Sequence, residues 1–282
     1  MTHPVPTLQG TVNTWNCDEV GHMNVQFYFA AGADAARVYA ASKKVSGAVY
    51  SQTDHVRFHR ELRAGDIFNV TTLPVGTHDS GLILAHQVIN RGTGELSATI
   101  VSNTSLPAGM AEDRFGDIPE AARPRSIAAR SSLPALTLND PVAEKLIPIY
   151  QGVVHADQCN EAGAMRQQFI MSRFSDGAAH LWHHVGFDRD AMLKARRGTV
   201  VLETRLDRLT DVRAGTVLIA RSAIVEIMGK VLRFAHFLFD GSTGSLVATG
   251  EAAAVLLDLD ARKTVAFGEA ERAGLAPYLM EF

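Results

Sequence analysis

Cys17-Asp18-Glu19-Val20-Gly21-His22-Met23 returns later in the chain as Cys159-Asn160-Glu161-Ala162-Gly163-Ala164-Met165, at an offset of 159 − 17 = 142 residues. Each copy opens a helical stretch. Phe27 to Ala41 places Phe27, Ala31, Asp34, Ala35 and Val38 at helical spacing, and Gln167 to His184 repeats the pattern with Asp176 answering Asp34. Further along, Leu62-Arg63-Ala64-Gly65 is matched by Val212-Arg213-Ala214-Gly215, at an offset of 215 − 65 = 150. Ala85-His86 answers Ala235-His236, and Thr93-Gly94-Glu95-Leu96 answers Thr243-Gly244-Ser245-Leu246, at that same offset. A repeat of this period makes each copy a similar folding unit. The extra residues fall between helix and sheet in the second copy, most naturally within Phe187 to Gly198.

Around the motif each half runs in one order. A short strand (Leu8 to Thr14; Ile147 to His155) leads into the turn and the helix, and β-type runs follow. These are Val56 to Leu62, Ile67 to Val75, Leu82 to Asn90 and Leu96 to Ser105, then Val200 to Leu206, Val217 to Ile227, Val231 to Phe239 and Leu246 to Leu257. Gly65, Gly215 and the Gly-rich runs after Asn90 and Phe239 supply antiparallel turns. The reading is an α+β chain with an N-terminal domain at 1–106 and a linker at 107–145 that carries a short helix. A C-terminal domain at 146–259 and a tail at 260–282 with a further helix complete it.

Composition bounds the function. The chain has 282 residues, 46% hydrophobic and 20% charged, which suits two globular domains. A net charge of −3 disfavours sequence-independent nucleic-acid binding. The start Met1-Thr2-His3-Pro4 shows no secretory signal, and no apolar run has the length to span a bilayer. The two cysteines, Cys17 and Cys159, occupy equivalent repeat positions, which points to packing residues in a reducing compartment, the cytoplasm.

What differs between the copies carries the chemistry. The first keeps Asp18 and His22 where the second has Asn160 and Ala164. A helix start offers unpaired N–H groups and about half a positive charge. The amide of Val25 there can hold a polarised carbonyl oxygen. Gly21 permits a sharp turn and close approach of substrate. Asp18 beside that electrophile can act as nucleophile or as base for water, with His22 orienting water or protonating a leaving group. These parts suit hydrolysis of an activated acyl group.

The pattern Asp18-x-x-Gly21-His22-x-Asn24-x-x-x-Tyr28 resembles the hotdog-fold thioesterases of the 4-hydroxybenzoyl-CoA thioesterase type. Its spacing also looks like that of the plant acyl carrier protein thioesterases, which are tandem hotdogs. Those plant enzymes carry an asparagine two residues after the acid, where this chain has Val20. The resemblance implies a double hotdog, each half a long helix wrapped by an antiparallel sheet. It also implies Asp18 as the catalytic carboxylate and an amide near Val25 on the thioester carbonyl. Family members pair, with acyl-CoA along the seam, and two copies in one chain supply that pair internally. One site per chain is expected, built on Asp18 and walled by the second half. Glu161 marks a shared structural role, because Glu19 exists in the first copy too.

The expected activity is acyl-CoA hydrolysis with Asp18 and His22 catalytic and Gly21, Asn24, Val25 and His59 in contact with substrate. No cofactor beyond the CoA of the substrate and no metal are expected, nor a nucleic-acid or membrane partner, and homo-oligomers of the double unit are compatible with this. Plainer roles compete. Asp18 or Asn24 can cap the helix, Tyr28 can be core, and His59 can be an ordinary sheet histidine. His86 and His236 read as structural. His180, His183 and His184 share a helix face, but no metalloprotease acid follows. Two rival functions remain. One is a hotdog enoyl-CoA hydratase or dehydratase, whose usual Asn-Pro between acid and histidine is absent here. The other is a non-catalytic acyl-CoA-binding module, against which the intact Asp18–His22 pair argues.

Overall fold

A computed structural model describes residues 3–79, 81–111, 115–187 and 189–282. Met1 and Thr2 of the N-terminal reading, residues 112–114 of the linker and Asp188 of the extra stretch therefore lie outside the described residues. The chain divides into two compact units. The first comprises Met1–Arg125 with Asn160–Ala162 and Arg166–Met171; the second comprises Ser126–Cys159, Gly163–Met165 and Ser172–Phe282.

In the first unit the order is β1 (Val5–Thr11), α1 (Val25–Ser42), β2 (Ser51–Phe58), β3 (Ile67–His78), β4 (Gly81–Asn90) and β5 (Leu96–Thr104). The sheet is antiparallel in the order β1-β3-β4-β5-β2. After the short α2 (Pro141–Glu144), the second copy repeats it with β6 (Ile147–Val153), α3 (Gln167–His184, which belongs to the first unit as far as Met171), α4 (Arg189–Lys194), β7 (Arg197–Arg208), β8 (Val217–Met228), β9 (Val231–Asp240) and β10 (Leu246–Asp258). The order there is β6-β8-β9-β10-β7, with β11 (Lys263–Val265) beside β10. A helix α5 (Glu269–Leu275) lies in the tail. Each unit is thus the helix-and-antiparallel-sheet body that the hotdog resemblance implies. The extra stretch of the second copy holds α4.

Equivalence extends to single hydrogen bonds. Met23 N–H donates to Leu62 O at 2.7 Å, and Met165 N–H to Val212 O at 2.8 Å. The strand β2 ends earlier than its hydrophobic pattern suggests. His59 and Arg60 both donate to Ser97 O, as Leu209 and Thr210 both donate to Val247 O, so the ladder stops there. The chain then turns back to receive the amide of Met23 or Met165. Gly21 and Gly163 have φ of +81° and +78°, a region that an L side chain enters only with strain. Cys17 and Cys159 are free thiols whose sulfurs donate to Asn13 O and His155 O.

Helix and sheet approach closely at one repeat-related spot, by opposite means. In the first unit Gly32 of α1 lies over Ile100, and a Cβ on Gly32 would stand 3.1 Å from Ile100 Cδ1. In the second, the helix carries Phe174 at the matching position and the sheet carries Gly250, where a Cβ would stand 2.8 Å from the Phe174 ring. Large and small residues have exchanged sides of the same contact, so the summed volume is kept. Beneath the helices sit the repeated histidines. Thr72 Oγ1 meets His86 Nδ1 at 2.8 Å and Ser222 Oγ meets His236 Nδ1 at 2.6 Å.

The stretch between the halves covers apolar surface. Leu136, Ala143 and Leu146 form one buried cluster with Ala223, Ala235, Phe237 and Phe239, the sheet face away from α3 in the second unit. Each such leucine contributes roughly 1.5–3 kcal/mol. Beyond the reach of β1 and β6, exposed strand edges are paired by later segments. Gly116 N–H donates to Pro74 O and Met280 N–H to Ile224 O, again at an offset of 224 − 74 = 150, which removes two free edges.

Two outcomes follow from these contacts. Gly250→Ala drives a methyl into a buried ring and lowers unfolding free energy by about 1–3 kcal/mol. Gly32→Ala meets one aliphatic side chain, tightest at the terminal Cδ1 of Ile100, and gains helix propensity, so it stays within about 1 kcal/mol of wild type. Urea unfolding of the two variants checks this, and equal losses would contradict it. The second outcome concerns acid. Burial pushes His86 and His236 from 6.5 down to about 4, so the native state keeps both neutral. Between pH 6.5 and 4 the unfolded chain takes up these protons and the native chain does not. Stability is therefore intact above pH 6.5 and falls as pH drops towards 4, by on the order of 3 kcal/mol per histidine at the end. Replacing His86 with Gln should flatten the decline in urea unfolding measured from pH 7 to 4.5; an unchanged slope would rule this source out.

Candidate active site

The first motif forms one hydrogen-bonded turn. Asp18 N–H donates to His22 O at 2.8 Å, and Gly21 N–H donates to Asp18 O at 3.0 Å. The Asp18 carboxylate folds back over the same turn, its Oδ1 accepting from Val20 N–H and His22 N–H, both at 3.0 Å. Among the described residues Oδ2 accepts no hydrogen bond, so one oxygen is pinned and the other is presented. The positive φ of Gly21 closes this loop.

Asp18 does not cap the helix. That task falls to Asn24, whose side chain accepts from Gln26 N–H at 3.1 Å and whose carbonyl accepts from Phe27 N–H. Val25 is then the first helical residue, and its N–H has no partner among the described residues. The sequence thus sets an ionisable carboxylate in the turn that leads into a helix with an unpartnered first N–H, two groups of the kind that acyl transfer can use. A short 3-10 turn, Thr14–Asn16, braces it from the other side, with Asn24 N–H donating to Asn16 O at 2.8 Å.

His22 shapes the turn through its backbone. Its buried ring points at charged neighbours, with Nε2 3.5 Å from Arg63 Nη2 and 3.9 Å from Glu61 Oε1. One ring nitrogen thus faces a cation and an acid at once, which ties His22 to the loop that follows β2. Below, Tyr28 packs edge-on against Phe58 at 5.2 Å. Burial pushes its hydroxyl well above the usual phenol range, a backbone hydrogen bond with Leu62 offsets part of this, and Glu61, Asp18 and Asp66 add to the rise. Tyr28 is therefore a buried neutral floor near the carboxylate.

Asp18, Gly21, His22, Asn24 and Val25 are brought together. His59 is placed elsewhere. Its Nε2 lies 3.3 Å from Thr99 Oγ1, and Thr99 also bonds Ala121 O in the segment after β5. Thr99 neighbours Ile100, which faces α1, so His59 and Thr99 belong to the other face of the sheet. Burial lowers the His59 pKa, Arg57 and Arg125 lower it further, and a backbone hydrogen bond with Ala121 opposes them.

The first unit also holds a polar cluster that the sequence pattern did not disclose. Asp54, 4% exposed on the helix-facing side of β2, accepts from Ser102 Oγ at 2.5 Å and from Gln167 Nε2 at 3.0 Å. Glu161 pairs with Arg37 nearby in the fold, at 2.5 Å. The available signal was an acid just upstream of a run assigned as strand, and a polar residue where the first copy has Val25. In the second motif Asn160 Oδ1 accepts from Ala162 N–H at 3.0 Å, so the turn persists without the acid.

A sequence profile of the thioesterase-like superfamily matches residues 12–123 and 153–275, one segment in each repeat. No curated protein matches the sequence. Among solved structures, a putative oleoyl thioesterase from Lactobacillus plantarum is similar over 90% of this chain and 96% of its own, at 9% identity and a TM-score of 0.61. An acyl-ACP thioesterase from Bacteroides thetaiotaomicron is similar over 88% and 96%, at 10% identity and a TM-score of 0.59. The 12:0-ACP thioesterase from Umbellularia californica is similar over 88% and 92%, at 13% identity and a TM-score of 0.57. At these identities the structures speak for the fold, and the profile speaks for the family. With both repeats matched, the chain belongs to the thioesterase-like superfamily and is a thioester hydrolase of tandem hotdog form.

Proposed function

We propose that the chain hydrolyses acyl-CoA thioesters at a single site built on the Asp18 turn. The observation that carries the reading is the paired geometry at that turn, where Asp18 Oδ1 is fixed by two N–H groups and the unpartnered Val25 N–H opens α1. In this reading the thioester oxygen sits on the Val25 N–H, a donor of the kind worth roughly 10²–10³ in rate. Asp18 either takes a proton from water as the water oxygen attacks the carbonyl carbon, or attacks that carbon itself to give an anhydride that water then opens. In both routes the C–S bond breaks, the thiol leaves with a proton, and the acid is released. Side chain, backbone and water suffice, so the proposal includes no metal and no organic cofactor.

Gly21 would let the substrate approach the turn, and Asn24 would serve by holding the start of α1. His22 is proposed to act beside Asp18 from its place between Arg63 and Glu61. The position of His59 on the far sheet face gives least support to its contact with substrate. No helix among the described residues is long and apolar enough to cross a membrane, which suits a proposal of cytoplasmic location. A second reading, hydrolysis of an acyl carrier protein thioester, draws support from the names of two structural neighbours. The two thioesters share the reacting group, so an assay of both carriers with one acyl group separates them.

Asp18→Asn should lower kcat by on the order of 10² or more while leaving the melting temperature close to wild type. The second copy already shows an asparagine holding this turn through Asn160 Oδ1. Free-thiol release by the purified variant checks the loss, and wild-type turnover would sink the assignment. Glu161→Gln removes only an exposed ion pair to Arg37, so turnover should stay within a few-fold of wild type. Titration with a non-hydrolysable acyl-CoA analogue should give one site per chain; two equivalent sites would refute a silent second copy.

A further inference from the structure

Trp15 is 76% exposed, the highest value among the exposed large hydrophobic residues of the described chain. It is not the tip of a loose loop. Asn13 N–H donates to Asn16 Oδ1 at 2.8 Å, Asn16 N–H to Asn13 O at 2.9 Å, and Cys17 N–H to Thr14 O at 3.2 Å. Asn16 O in turn accepts the amide of Asn24, the cap of α1. An indole is thus held in water by a braced turn that also supports the helix start. At the repeat-related position, 15 + 142 = 157, the second copy has Asp157. The aromatic side chain is present only in the copy that keeps Asp18.

Chain geometry limits what it can meet. Only Asn16 and Cys17 separate Trp15 from Asp18, so their Cα atoms lie within about 11 Å, three steps of no more than roughly 3.6 Å each. That distance spans the first bonds on either side of a thioester held at Asp18, and is too short for the far nucleotide end of an extended CoA. The acyl side of the thioester is apolar and is the part that gains most from leaving water. The thiol side carries amides and a phosphate and leads out to solvent, where the indole stands.

We propose that Trp15 is a substrate-positioning residue that packs against the phosphopantetheine arm of the thioester, the part that CoA and acyl carrier protein share. The inference rests on the thioester chemistry assigned to the Asp18 turn. An exposed aromatic face gives a chain of methylenes and amides an apolar bed at little entropic cost, because Trp has only two side-chain torsions.

The test compares wild type with Trp15→Ala and Trp15→Phe on one acyl group attached to CoA, to acyl carrier protein, and to p-nitrophenol, which lacks the arm. Trp15→Ala should raise KM about tenfold for both arm-bearing substrates with kcat within a few-fold, and Trp15→Phe should restore most of the affinity. The p-nitrophenyl ester should show no comparable rise. A KM rise with CoA alone would place the contact on the nucleotide and overturn the arm assignment. An equal rise on the p-nitrophenyl ester would make Trp15 a structural or acyl-side residue, and unchanged kinetics on every substrate would remove it from the site. Unchanged kinetics with a lower solution mass for Trp15→Ala would assign the indole to a contact between copies of the chain and overturn the proposal. If wild type hydrolyses neither thioester, the functional reading has failed instead, which is a different result from any of these.

Discussion

The hydrogen bond from Met23 N–H to Leu62 O, repeated from Met165 to Val212, is the constraint on which each unit depends. It ties the residue before the helix cap to the segment just past the strand that follows the helix. The helix start is thereby fixed relative to the sheet, and the motif turn has no freedom to move away from it. Everything chemical at the first turn is measured from that tie. Asn24 caps α1 one residue later, Val25 presents its amide two residues later, and Asp18 folds back over the loop that leads in. A carboxylate and an oxyanion donor can cooperate only if their separation is held to a fraction of an ångström. Backbone hydrogen bonds fix both the Asp18 turn and the start of α1 here.

Much of this was legible in the sequence because duplication is read by alignment of the chain with itself, not by propensity. The helix Gln167–His184 and the strand starts at Ile67, Leu96, Ile147, Val217, Val231 and Leu246 agree with the pattern of apolar residues. The strand β2 was misplaced, reading as Val56 to Leu62 where the structure has Ser51–Phe58. Its hydrophobic pattern continues through Leu62, but two amides share Ser97 O and end the pairing. Register of that kind is a tertiary fact. The apolar role of residues 133–146 was hidden for a similar reason, since leucines spaced among prolines show no period. The cluster at Asp54 left only a faint signal in the sequence, because its partners Ser102 and Gln167 are 48 and 113 residues away.

The two copies show what a hotdog unit must keep and what it can change. Kept are the positive-φ glycines, the Met-to-strand tie, the Thr or Ser bond to a buried histidine, and the double amide contact at the strand end. All of these are backbone conditions or buried polar groups that would be costly to orphan. Changed are the acid, the histidine of the turn and the exposed tryptophan before it. The exchange of Gly32 over Ile100 for Phe174 over Gly250 shows that even the core contact can be inverted, provided the volume at the contact is kept.

Position 167 shows where a released position goes. It is the first residue of α3, as Val25 is of α1, since 25 + 142 = 167. In the first copy the residue at this place is an apolar valine, whose helix-terminal N–H has no partner among the described residues. In the second a glutamine stands there, and its amide donates to the buried carboxylate of Asp54, which Ser102 also holds. A buried carboxylate without donors would cost several kcal/mol, so Asp54 requires such partners. Gln167 supplies one from the first position of α3. The second turn thus lacks the acid and the histidine, and its helix start carries a side chain that is committed to a structural hydrogen bond.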